Sequence, residues 1–188
     1  MTATHGTART IAIAAGIGAA SGLLSFLVPE ALDQAGVDDQ GRVAEWLVRL
    51  SPGIVYGAAI GLYLMSVGMT TLSRAAAFVP LDTASWFAAS WFAIDGAETL
   101  GLPLKELWQL GIASGLIGAS IVALSALLLF PFFRRWKLAV TTILAGGAAG
   151  VLLSIGVKGS GLIILFTVWQ GVVAACFGWG VARAREKL

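Results

Sequence analysis

A carboxylate, a carboxamide and two indoles are the side chains of this 188-residue chain that could do chemistry inside an apolar medium: Asp82, Gln170, Trp86 and Trp169. A carboxyl group shielded from water can take up and release a proton or hold a cation, and charge at bilayer depth is costly enough to suggest function. Gln170 can donate and accept hydrogen bonds together, and its amide must find partners wherever it is buried. Two indole faces beside an amide would suit a neutral or weakly polar solute. A plainer reading competes, in which Gln170 ties helices together. The hydroxyls of Ser21, Ser25, Ser66, Ser85, Ser90, Ser114, Ser125, Ser154, Thr83 and Thr167 then bond to their own helices instead of extending a lining.

The depth of Asp82 depends on where its helix starts. A start near Ala75 buries it roughly 10 Å from the helix end, at 1.5 Å per residue. A start near Leu81 makes it an interfacial cap and leaves Asp95 as the deeper acid. The second register is preferred, because a proline (Pro80) followed closely by an acid is a common way for a helix to begin.

No catalytic set accompanies these residues. There is no Ser, His and Asp combination, no His-Glu-x-x-His and no phosphate-cradling glycine loop. Asp82 and Asp95, on one helix, would be about 20 Å apart along its axis, too far for an aspartyl pair. The lone histidine, His5, lies in the N-terminal tail, and the lone cysteine, Cys176, reads as packing. The expectation is a non-enzyme with no metal site and no cofactor.

The elements that must position these side chains follow from composition. The chain is 58% hydrophobic and 12% charged, with a mean hydropathy of +0.89, whereas soluble domains carry about 25% charged residues. It reads as an all-α integral membrane protein, a single six-helix bundle over 1–188. Its spans are near Thr10–Val28, Pro52–Thr71, Ala75–Ile94, Leu110–Phe133, Leu138–Val157 and Gly161–Ala182. Arg9, Arg74, Arg134, Arg135, Lys137, Arg183, Arg185 and Lys187 fall on one side of this topology. Glu30, Asp33, Asp38, Asp39, Glu45, Asp95, Glu98 and Glu106 fall on the other, with Arg42, Arg49, Lys105 and Lys158. The basic side is cytoplasmic by the positive-inside rule, which places both termini there. Richness in Ala, Gly and Arg suggests a GC-rich prokaryote, hence a bacterial plasma membrane. No basic cluster with interleaved aromatics suits nucleic acid.

Between the first two spans, Val43, Trp46, Leu47 and Leu50 share one helical face, and Arg42, Glu45 and Arg49 occupy the other. This is the pattern of an amphipathic helix lying in the outer interface, with Glu45 and Arg49 as a supporting pair. It would serve as an anchor, a lid or a docking surface, with the anchor preferred.

Glycine pairs four residues apart, Gly18 and Gly22, Gly57 and Gly61, Gly111 and Gly115, Gly146 and Gly150, mark faces where helix backbones approach closely. Matches between "ASGLL" and "ASGLI", and between "GAAIGLYLMSVG" and "GAAGVLLSIG", raise a 3+3 inverted repeat with halves 1–100 and 101–188. The first functional expectation is a transport or permeation protein with its cavity between the halves. The second is an accessory subunit that docks a larger membrane complex, or itself, through outward glycine faces. In size, helix count, long first outer loop and small residues on the first helix, the chain resembles the substrate-capturing subunits of energy-coupling vitamin transporters. That resemblance implies a partner docked on small residues of the first helix.

Overall fold

The computed structural model describes residues 2–37, 40–156 and 161–186. Asp38, Asp39, Lys158, Lys187 and the Val157 end of the fifth expected span lie outside them. The described residues form helices and connecting turns, with no strand: α1 (Thr2–Gln34), α2 (Arg42–Ser66), α3 (Leu72–Trp91), α4 (Leu107–Leu129), α5 (Trp136–Gly150) and α6 (Gly161–Arg185). Three connections begin at glycines in the left-handed region, Gly36, Gly68 and Gly101 (φ 67, 73 and 66°). At each, the next amide reaches back to the carbonyl five residues earlier, as Met69 does to Leu64. This is the Schellman closure, and glycine adopts it without steric cost.

Five segments are long and apolar enough to cross a membrane: Gly6–Gln34, Arg42–Ser66, Leu107–Leu129, Trp136–Ile155 and Gly161–Arg185. The third expected span, α3, is not among them. Its polar residues Asp82 and Ser85 are buried, while Leu72, Phe87 and Trp91 are exposed.

Each helix packs against its neighbours in sequence, and α6 returns to pack on α1, closing a ring of six. Aromatic side chains fill part of its interior. Phe78, Phe130, Phe133 and Phe177 are fully buried, with ring centroids 4.9–6.2 Å apart in the contacting pairs, the spacing at which tilted aromatic pairs attract. At the end holding both described chain termini, Thr7 Oγ1 donates to Glu186 (3.0 Å) and Arg183 pairs with the same carboxylate (3.0 Å). The Thr7 hydrogen bond first, and Arg183 second, hold the Glu186 carboxyl below its ordinary value. Any contribution of this tie to stability is therefore present above the ordinary carboxylate value and lost as pH falls through the lowered one.

Two expected boundaries are corrected, both at prolines. The segment carrying Val43, Trp46, Leu47 and Leu50 is helical, but it is the start of α2 and not a separate interfacial element, because α2 runs through Pro52. Proline cannot donate to the carbonyl four residues back, and Ser51 Oγ supplies Val48 O with a donor at 2.8 Å. Val43, Trp46 and Leu47 stay exposed, and Glu45 pairs with Arg49 at 2.7 Å. Likewise α3 starts at Leu72, well before Pro80, and continues through a π-helical turn, Phe92–Gly96, to Thr99. It covers both registers left open by the sequence.

All four glycine pairs face inward. Gly18 and Gly22 press on α6 at Gln170, Ala174 and Phe166, while Gly57 and Gly61 press on α3 at Val79 and Ala75. Gly111 and Gly115 meet Gly150 and Gly146, backbone on backbone. An outward glycine stripe for a partner is thus missing from these four pairs, and the Gly18 and Gly22 face is already occupied. The motifs behind the expected repeat also make non-equivalent contacts: Gly18 and Gly22 face α6, but Gly111 and Gly115 face α5 where exchange of halves would require α3.

Candidate functional site

The polar side chains that the helices bury converge near the middle of the bundle. Gln170, nine residues into α6 and 3% exposed, is held from α1: Ser21 Oγ donates to its Oε1 (2.8 Å) and its Nε2 donates to Ser25 Oγ (2.9 Å). Ser25 Oγ donates onward to Pro52 O of α2 (3.1 Å). Three helices are thereby joined by one chain of hydrogen bonds. On the far side, Ser85 Oγ of α3 donates to Gly118 O of α4 (2.7 Å). Ser66, Ser114, Ser154 and Thr83 bond within their own helices, as serine and threonine in apolar helices commonly do.

Asp82 is not the interfacial cap preferred from sequence. It lies ten residues into α3, about 15 Å from the helix start, and is 3% exposed. Asp95, the alternative deep acid, is exposed within the π-helical turn. The reason is the earlier helix start: two turns precede Pro80. Opposite Asp82 stands Gly57, where a Cβ would lie 3.2 Å from the Asp82 Cβ, so the missing side chain leaves room for the acid. Among the described residues no hydrogen bond or ion pair reaches the carboxylate. A charged carboxylate at such depth costs about 3 kcal/mol on membrane-insertion scales.

The decisive neighbour is Tyr56, which the sequence reading passed over. It is 1% exposed, its hydroxyl has no hydrogen-bond partner, and it lies within electrostatic reach of Asp82. The Tyr56 ring meets Trp169 edge-on, at 6.2 Å between centroids. Asp82 and Trp169 are therefore connected through one phenol. Thr167, one turn before Gln170, carries a second buried hydroxyl without a partner. Buried polar atoms are nearly always satisfied; the Tyr63 and Thr70 hydroxyls, near the C-terminal end of α2, are likewise without a partner. The signal in the sequence was a phenol one residue before the glycine pair of α2, since a tyrosine hydroxyl in lipid needs a partner.

The remaining expected lining residues separate. Trp169 sits in a slot against Tyr56, Gly118 and Gly146. Trp86 is only half-buried, donates Nε1 to Arg49 O (3.0 Å) and stacks edge-on against Phe166 (4.9 Å). It straps α2 to α3 one turn away from Asp82. Neither of the two principal clefts reaches the layer: one of about 460 Å³ lies between Thr7, Arg9, Ile13 and Arg185, the other beside Trp46, Leu50, Pro80 and Phe87. Among the described residues no three His, Cys, Asp or Glu side chains form a group able to hold a metal ion.

Comparison with protein-family models, with curated proteins and with solved structures finds no match.

Proposed function

We propose that this chain is a six-span protein of a bacterial plasma membrane that moves a small neutral or weakly polar solute through the layer around Gln170, Trp169, Tyr56 and Asp82. The sixth span is α3. Its 20 residues cover about 30 Å as a helix, and the side chains that lower its hydropathy, Asp82 and Ser85, point away from lipid. The termini are cytoplasmic, as Arg9, Arg134, Arg135, Arg183 and Arg185 at the helix ends suggest. One observation carries the reading: a buried layer whose hydrogen bonds are only partly used, where among the described residues no hydrogen bond or ion pair reaches buried Asp82 and the Tyr56 hydroxyl has no partner. A layer serving only as glue would be expected to satisfy its own members. Neither of the two principal clefts reaches the layer, so solute enters by movement of helices, and the exchangeable contacts are those around Tyr56.

That neither of the two principal clefts reaches the layer favours a second reading, a non-catalytic accessory subunit of a larger membrane assembly. Native mass spectrometry of protein gently extracted from its own membrane separates the two. The transport reading expects a retained small molecule whose occupancy falls when Trp169→Ala removes the indole. Loss of roughly 1.4 kcal/mol of contact weakens binding about tenfold. A chain arriving with larger unrelated subunits and no solute would replace transport with the accessory role.

A further inference from the structure

We infer that Asp82 is a proton site, taking up and releasing one proton per working cycle. For its purpose in a cycle the inference rests on the transport reading above; its chemistry stands on the geometry. Asp82 is buried on α3 and faces Gly57 of α2. The groups turned toward this region are the Tyr56 phenol from α2 and, beyond it within reach of that phenol, the Cys176 thiol of α6 with Thr142 of α5 beside it. None is a cation. A carboxylate so placed needs a positive partner, and the described residues supply none.

The choice of cation follows from the number of ligands. A metal ion such as calcium takes several oxygen ligands, and among the described residues no three His, Cys, Asp or Glu side chains gather at Asp82 or elsewhere. A proton needs a single acceptor. The step is simple: a carboxylate oxygen accepts a proton, an O–H bond forms and the charge is cancelled; on release the bond breaks and the proton returns to water on the side then open. A phenol can accept a hydrogen bond from an acid and donate one to a carboxylate, so the Tyr56 hydroxyl suits both states once helix movement brings it within reach of Asp82. Its present lack of a partner leaves it free for either.

The test is infrared difference spectroscopy of the protein in lipid, exchanged between H2O and D2O. The expected result is a carboxylic-acid C=O band that shifts in D2O and is missing from Asp82→Asn, a nearly isosteric neutral replacement. Tyr56→Phe keeps the ring against Trp169, removes only the hydroxyl, and should move the band without abolishing it; this variant reads the same site should Asp82→Asn fold poorly. A carboxylate band alone, at every pH at which the protein is stable, would overturn the inference. So would an acid band that never shifts in D2O, which would mean a sealed proton that reaches neither side. No solute is present in the measurement. A protein that carries nothing would still show the exchangeable band, and failure of the transport reading is thus distinguishable from failure of the proton site.

Discussion

Leucine at Gly111 or Gly150 should leave little folded protein to recover. A Cβ at either glycine would run into the carbonyl oxygen of the other, and one helical turn away Gly115 and Gly146 meet in the same manner. Overpacking a core by a few methylenes commonly costs roughly 1–3 kcal/mol because side chains can shift. Here the obstacle is backbone on both sides, so α4 and α5 must part along their contact and the cost reaches or exceeds the top of that range. Gly16 supplies the control on α1. A Cβ there meets nothing within 4 Å, and Gly16→Ala should be neutral or gain up to about 1 kcal/mol from helix propensity. The readout is the yield of monodisperse protein in mild detergent together with its melting temperature. A Gly111→Leu variant that melts with the wild type would remove the close helix contact from the fold.

The second large effect is expected at Gln170. Gln170→Leu breaks the hydrogen bonds to Ser21 and Ser25 that join α1 to α6. Interhelical hydrogen bonds in membranes are worth about 0.6 kcal/mol on average and at most about 1.7, so losing two should cost roughly 1–3 kcal/mol. The two serines are not left bare, since Ser21 also donates to Gly18 O and Ser25 donates to Pro52 O. That keeps the loss within this range. Reversible unfolding in denaturant, compared among Gln170→Leu, Ser25→Ala and the double variant, should give less than the sum of the single effects, because the two residues share a bond. Strict additivity would mean that the bond contributes nothing.

The elements were legible in the sequence where a physical constraint acts on composition. Lipid demands long apolar helices, and five are found by that criterion. The third span expected from sequence, α3, does not meet it, because hydropathy averages over a helix and does not know which face is buried. The glycine pairs announced close contacts but not their partners: nothing in "GAASG" tells that Gly22 will lie on Phe166. Proline misled twice. Spacing makes Pro52 and Pro80 read as helix starts, yet Ser51 repairs the carbonyl that Pro52 leaves without a donor, and such repair depends on a side-chain rotamer that spacing does not reveal. The burial of Asp82 followed from the second of these errors. Gln170 was legible as buried because an amide nine residues into an apolar helix has no other place, whereas Tyr56 was missed because tyrosine in a membrane segment usually sits at an interface.

The central claim is that the polar layer is a working interior that opens to both sides of the membrane. Ser25→Cys, made in a Cys176→Ala background so that it is the lone thiol, places a reporter on that layer. In oriented vesicles, a membrane-impermeant thiol reagent added to one side or the other should label position 25 from each side in turn, while Phe133→Cys in the packed aromatic core stays unlabelled. A cysteine at 25 that reacts from neither side would contradict the account and leave the layer as fixed packing between helices.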